Sequence, residues 1–308
     1  MTDTIATWIS ADEVFARVSF EAAIRAVQRD LTAGIDPALD FARSVQSVKH
    51  GQLLLMPAQS SQFVGIKILT VAPRNPALGK AMIQAVYLLM DAVTLSPVAF
   101  IDGTALTTLR TPATSAAVAD YLAPREVQHL VVFGSGPQAW GHIEAMRAIR
   151  NIGDVSIVDL DEGRATALVT RVQASGLVAS VGSANDVRHA QLIVCATTAR
   201  TPLFDGRLVP TDSLTVAVGA YEADARELDS ELIERAQIIV EDIGTALREA
   251  GDLIIPVTEG VIAPTALIPM RDIVTGVAPV DHQRPRVYKS TGMSWEDLVI
   301  ASEIFRAG

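Results

Sequence analysis

Val131-Val132-Phe133-Gly134-Ser135-Gly136-Pro137-Gln138-Ala139 is the stretch whose reading decides the fold. An apolar strand runs into Gly-x-Gly-x-x-Ala, and Ile143, Met146 and Ile149 then recur at helical spacing. Glycine patterns of this kind arise by accident, but a strand before and a helix after give this one the context of a dinucleotide-binding loop. Gly134 permits the tight turn, Gly136 lets the backbone approach a diphosphate, and Ala139 allows the helix to pack closely on the sheet. Ser135, Pro137 and Gln138 complete the loop, whose helix N-terminus offers amides to an anion.

Working outward, the next strand ends in Ser156-Ile157-Val158-Asp159, 23 residues beyond Gly136. An acid at about 20 residues is where this fold reads the adenosine ribose 2′-hydroxyl. Asp159 would accept from that hydroxyl and repel a 2′-phosphate, so NAD(H) is preferred while NADP(H) stays compatible. The competing reading is that Asp159 caps the following helix, a role Asp161 fills equally well. Strands are expected at 129–133, 154–158, 179–181, 191–195, 214–218 and 237–240, with helices at 137–150, 162–174, 184–188, 229–235 and 243–250. Such alternation implies a parallel, doubly wound sheet of Rossmann type. Thr197, just past the fourth of these strands, falls at the carboxyl edge where a cofactor lies.

Upstream the pattern differs. Ser10 followed by Glu13 is a capping box, and Ala23, Ile24, Val27 and Leu31 give a helix over 19–33 one apolar face. Short strands follow at 53–56, 63–68 and 85–90, separated at hairpin-like spacing. Helical spacing resumes at 114–122, and the chain ends in an apolar helix over 294–305. The fold class is therefore α/β: a Rossmann-type sheet joined to an α+β domain.

Composition narrows the function. Of 308 residues, 49% are hydrophobic and 19% charged, and the net charge is −10. That charge, without a Lys/Arg cluster, argues against nucleic acid as a partner. No apolar run approaches the roughly 18 residues a bilayer span needs, and Met1-Thr2-Asp3-Thr4 carries no leader pattern, so a cytoplasmic location is expected. The one cysteine, Cys195, sits in an apolar run and reads as buried. His50, His129, His142, His189 and His282 lack metal-ligand spacing, and no metal is expected.

Three cations lie outside the nucleotide unit: Arg43, Lys67 and Arg110. Lys67 interrupts Val64, Ile66 and Ile68 and points to the opposite face of its strand; an ordinary solvated lysine is the bland reading. The guanidinium of Arg110 has the fork geometry to clamp a carboxylate.

Gly65-Ile66-Lys67, Leu109-Arg110-Thr111, the glycine loop with His142, Val218-Gly219-Ala220 leading to Arg226-Glu227-Leu228-Asp229, Ala246-Leu247-Arg248-Glu249-Ala250-Gly251-Asp252 and Tyr288-Lys289-Ser290-Thr291-Gly292 occur in this order. In them the chain resembles the ornithine cyclodeaminase/mu-crystallin family over nearly its whole length. The resemblance implies a homodimer paired through the substrate domains. It implies residues 1–112 and 287–308 as a substrate-binding and dimerisation domain, with 113–286 binding the dinucleotide. It also implies that Arg43, Lys67 and Arg110 hold a small carboxylate substrate, that Lys67 either polarises the substrate nitrogen or relays a proton, with water the other candidate donor, and that Thr111 and Ser290 meet the cofactor.

One departure separates branches of the family. Cyclodeaminases that resemble this chain carry an Asp where Tyr221 follows Gly219-Ala220, and Glu222 or Asp224 would replace it only in a rearranged loop. The expectation is therefore a reductase of cyclic ketimine carboxylates, Δ1-pyrroline-2-carboxylate to L-proline or the six-membered Δ1-piperideine-2-carboxylate to L-pipecolate. Alternatives are an alanine-type amino-acid dehydrogenase, an ornithine cyclodeaminase, and a nucleotide-dependent binding protein of the mu-crystallin kind.

Overall fold

The computed structural model describes residues 6–308; Met1-Thr2-Asp3-Thr4, read above for a leader, lies outside them. The chain divides into two units, Met1–Thr114 with Met293–Gly308, and Ser115–Gly292.

The first unit holds a six-stranded sheet of β1 (Thr7–Ile9), β2 (Ser44–Val48), β3 (Gly51–Gln59), β4 (Phe63–Val71), β5 (Ile83–Asp91) and β6 (Pro97–Asp102), in the order β1-β6-β5-β4-β3-β2. All pairs are antiparallel except β1 with β6. Helix Ala11–Arg17 starts with the expected capping box, Ser10 and Glu13 bonding reciprocally. Helix Phe20–Thr32 buries Ala23, Ile24, Val27 and Leu31 as its spacing predicts.

Helix Ser294–Arg306 closes one face of the sheet, the face on which Met56, Lys67, Tyr87 and Ile101 stand side by side in register. Its first amides, Ser294 and Trp295, donate to the Asp40 carboxylate at 2.8 and 3.0 Å, which caps the helix from a distant segment. Burial of Leu298, Ile300 and Ile304 contributes roughly 1.5–3 kcal/mol per side chain. The opposite face carries the row Trp8, Phe100, Leu88, Ile66 and Pro57, with Trp8, Phe100 and Ile68 exposed.

The helix expected at 114–122 spans Gly103–Leu122. Thr104, Thr107, Thr108 and Pro112 hid its first half, since threonine and proline are poor helix formers. Asp102 supplies the missed start, its carboxylate accepting from the amides of Thr104 and Ala105 at 3.0 and 2.9 Å.

The second unit is built on eight parallel strands: β7 (Val127–Phe133), β8 (Ile152–Val158), β9 (Val178–Val181), β10 (Leu192–Cys195), β11 (Leu214–Ala217), β12 (Gln237–Val240), β13 (Leu267–Pro269) and β14 (Arg286–Lys289). Their order is β13-β12-β14-β11-β10-β7-β8-β9. The direction of winding reverses between β7 and β10, the switch point at which this fold receives ligands. β10 is buried at all four positions, as a strand covered on both faces must be. Cys195 ends it, and burial pushes its thiol well above the usual range.

The expected division at 286/287 is corrected by β14, which lies in the middle of this sheet between β11 and β12. The first unit resumes only at Met293. Charges at both ends of a four-residue strand concealed it: Arg286 and Lys289 are buried and pair with Asp212 at 2.6 Å and Asp252 at 2.9 Å.

Candidate active site

The carboxyl edge of the second sheet carries the glycine loop. Gly134 has φ +100°, and a Cβ there would stand 2.4 Å from the Ala196 carbonyl oxygen across the switch point. Only glycine fits. A Cβ on Gly136 would meet nothing within 4 Å, so this glycine leaves open space above the loop. Gly136 is the N-cap of helix Pro137–Arg147, and no side chain caps that helix. Ala139 is buried against the sheet.

Asp161, not Asp159, caps helix Glu162–Ala174, accepting from Arg164 N at 3.1 Å. The two readings of this pair are thereby separated. The Asp159 carboxylate accepts instead from the Ser135 hydroxyl and, at 2.9 Å, from Asp161 N. The side chain is thus fixed beside the glycine loop.

His142 donates from Nδ1 to the Gln138 carbonyl at 2.8 Å, so its Nε2 accepts from the Ser115 hydroxyl at 2.9 Å. Burial pushes its pKa down to about 4. It is a neutral packing residue.

Further along the same edge, a buried network ties three loops together. Glu227 accepts from Thr197 N at 2.9 Å, the Thr197 hydroxyl at 2.8 Å and Gly219 N at 2.7 Å. Asp252 accepts from the amides of Glu227 and Leu228 at 2.7 and 2.8 Å and pairs with Lys289. Lys289 donates to the Ala220 carbonyl at 2.6 Å. Burial pushes the Glu227 carboxyl up, against the pull of the Lys289 ammonium. Glu241 accepts from the Ser290 hydroxyl at 2.7 Å and from Thr291 N and Gly292 N. Tyr221 is exposed, while Glu222 and Asp224 beside it pair with Arg200 at 2.5 and 2.6 Å.

The first unit holds the cations. Lys67 is 1% exposed, which removes the bland reading of a solvated lysine. Helix Ser294–Arg306 covers the strand face that carries it. Asp297 from that helix meets Lys67 Nζ at 2.9 and 2.8 Å and Arg110 Nε at 3.0 Å. Glu296 takes Arg110 Nη1 at 2.6 Å. Both carboxylates are fully buried.

Burial lowers the Lys67 pKa to about 8; the Asp297 charge opposes that fall, and the charges of Arg110 and Arg43 reinforce it. Asp297 thus joins Lys67 and Arg110 directly, while the Arg43 charge acts on Lys67 more weakly. The Tyr87 hydroxyl, buried and without a hydrogen-bond partner among the described residues, lies over Gly65, where a Cβ would stand 2.0 Å from it. Thr111, expected at the cofactor, is half-buried in helix Gly103–Leu122 and belongs with this unit.

The sequence model of the ornithine cyclodeaminase/mu-crystallin family matches residues 8–307. The chain belongs to this family. A Δ1-pyrroline-2-carboxylate reductase of Bacillus cereus is 31% identical over 306 residues, 96% of this chain and 92% of the relative. The structure of Thermococcus litoralis Δ1-pyrroline-2-carboxylate reductase in complex with NADH and L-proline superposes with TM-score 0.92 at 28% identity, covering 98% of this chain and 97% of that one. An archaeal alanine dehydrogenase dimer with bound NAD gives TM-score 0.92 at 26% identity, covering 98% and 95%.

Within this family member, the sequence reading named the cations but missed their partners. Asp40, Tyr87, Glu296 and Asp297 carried one usable signal: two adjacent acids in the first turn of an otherwise apolar terminal helix. Glu227 and Asp252 stand in segments that carry the family resemblance, and Glu241 lies outside them. Among the described residues no group of three or more His, Cys, Asp or Glu side chains is placed to hold a metal ion, and no helix is long and apolar enough to cross a membrane.

Proposed function

We propose that this chain is a pyridine-nucleotide-dependent oxidoreductase that reduces the C=N bond of a cyclic ketimine carboxylate. Δ1-Pyrroline-2-carboxylate, giving L-proline, is the first choice, and Δ1-piperideine-2-carboxylate, giving L-pipecolate, is its six-membered counterpart. The observation that carries the reading is a pair of buried cations, Lys67 and Arg110, joined by the Asp297 carboxylate at 2.8 and 3.0 Å, with burial lowering the Lys67 pKa to about 8.

Arg43 and Arg110 hold the substrate carboxylate, which fixes the ring and orients C2. Lys67 donates a proton from Nζ to the imine nitrogen; a buried amine near pKa 8 is suited to that at neutral pH. The developing iminium is offset by the substrate's own carboxylate, so the acid missing at Tyr221 is not needed. The hydride that C2 accepts would come from NADH held at the glycine loop. The deprotonated Lys67 then recovers its proton from water.

The glycine loop, with Ser135, Gly136, Pro137, Gln138 and Ala139, receives the diphosphate. Asp159 reads the ribose and favours NAD(H) over NADP(H), and Thr197, Ser290 and Thr111 complete the cofactor's surroundings. The exposed apolar row through Trp8, Phe100 and Ile66 pairs with a second copy in a homodimer. The alanine dehydrogenase neighbour supports a second reading, reductive amination of pyruvate through the same carboxylate clamp.

Parallel assays decide between these. NADH oxidation is followed with Δ1-pyrroline-2-carboxylate, with pyruvate plus ammonia, and in reverse with ornithine plus NAD. Turnover with the cyclic imine is expected; turnover only with another pair transfers the assignment. Lys67→Ala should lower kcat/KM on the cyclic imine by about 10²–10⁴, the usual weight of a general acid, with NADH affinity unchanged. Retained activity removes Lys67 from the mechanism.

A further inference from the structure

We infer that Glu227 is a positioning residue for the nicotinamide half of the dinucleotide. The inference rests on the dinucleotide reading above. In this fold the two halves of the ligand lie on either side of the switch point. Asp159 follows β8 on one side and, in that reading, takes the adenosine ribose. The loops after β10 and β11, on the other side, fall to the nicotinamide half.

Those loops are fastened by charge. Both carboxylate oxygens of Glu227 are used as acceptors, one by Thr197 N and Oγ1, the other by Gly219 N. The side chain is fully buried. The loops also touch backbone to backbone, since a Cβ on Gly219 would stand 2.1 Å from the Thr197 carbonyl oxygen. Behind Glu227, Asp252 fixes its main chain and Lys289 fixes Asp252, while the same ammonium holds the Ala220 carbonyl.

Buried ion pairs of this kind add little net stability. Their consequence here is to set two backbone segments in one relation before any ligand arrives. Ordering those loops on binding would otherwise weaken affinity. A glutamine in place of Glu227 keeps the size but turns a donor toward one of the three N–H or O–H groups that need an acceptor.

The test uses the purified full chain without substrate, so it is independent of the ketimine assignment. NADH and ADP-ribose, which lacks nicotinamide, are titrated by calorimetry against wild type, Glu227→Gln and Thr197→Ala. Glu227→Gln is expected to weaken NADH roughly tenfold or more, as loss of a hydrogen bond to a buried charge does, and to leave ADP-ribose within about twofold. Thr197→Ala, which keeps the amide and loses the hydroxyl together with its γ-methyl, should show the same selectivity with a smaller loss. It carries the test if the glutamine variant does not fold.

Equal weakening of both ligands, or unchanged NADH affinity, overturns the inference. A wild-type protein that binds neither ligand overturns the dinucleotide reading and this inference with it.

Discussion

The two units solve opposite problems with the same materials. In the first, Lys67 and Arg110, the cations proposed to meet the substrate, are held in place by Asp297 and Glu296. In the second, the proposed cofactor surface is backbone, and the charged residues Glu227, Asp252 and Lys289 hold the loops that form it. The difference shows in sequence distance. Ser135 and Asp159 lie 24 residues apart, whereas Lys67 and Asp297 are separated by 230. A site made of backbone is written locally; a site made of opposed charges is written in two places.

Removing a charge from the first unit should do the most damage. Asp297→Ala leaves Lys67 and one edge of Arg110 buried without their counter-charge, which costs about 3–5 kcal/mol in such pairs. Urea unfolding of the variant measures it. Asp297→Asn sharpens the point, because the Asp297 charge is what holds the Lys67 pKa up against burial. Lys67 must be protonated to donate, so activity is full below its pKa and falls above it. The alkaline limb of kcat/KM should lie near 8 in the wild type and move to lower pH in Asp297→Asn. An unmoved limb assigns the titration to another group.

In the second unit the corresponding variants alter backbone. Gly134→Ala places a methyl 2.4 Å from the Ala196 carbonyl in a left-handed conformation, a strain of roughly 1–3 kcal/mol. Both thermal stability and NADH affinity should fall. At Gly136 a methyl meets open space, so Gly136→Ala should leave stability within about 0.5 kcal/mol while weakening NADH. If the two glycines behave alike, Gly136 is not where the diphosphate approaches.

These contrasts explain what was legible. The Rossmann strands and helices followed from apolar runs and caps, because each element carries its own pattern. β14 escaped since Arg286 and Lys289 look solvated until Asp212 and Asp252, distant in sequence, neutralise them. Helix Gly103–Leu122 escaped in its first half for a local reason: its threonine hydroxyls turn back onto carbonyls four residues earlier, Thr107 to Gly103 at 2.7 Å and Thr108 to Thr104 at 2.9 Å. At Lys67 strand alternation settles the relation between the two faces and leaves burial open. Alternation shows that Lys67 opposes Ile66 and Ile68; which of those two faces the terminal helix covers is decided more than 200 residues later.

Asp40 gives the smallest effect and the most direct test of how the first unit's charges are balanced. Its carboxyl is pushed up from the ordinary 3.8 to about 6, chiefly by burial, with the amides of Trp295 and Ser294 pulling the other way. Between those values the folded chain holds a proton that the unfolded chain has released. The group's contribution to stability is therefore full below about 3.8 and is lost as pH rises through 6. Asn cannot ionise and still presents an oxygen to both amides. At pH 7.5 Asp40→Asn should be more stable than wild type by roughly 1–2 kcal/mol, the shift discounted for the part that solvent screens. The gap should narrow to about half by pH 5 and close only below about pH 3.8, measured by urea unfolding across that range. A less stable variant at pH 7.5 would mean that the charged cap outweighs the cost of burying it. The helix carrying Glu296 and Asp297 would then be held at its start by a third carboxylate in its charged form, and the balance of charge around Lys67 would shift by one unit.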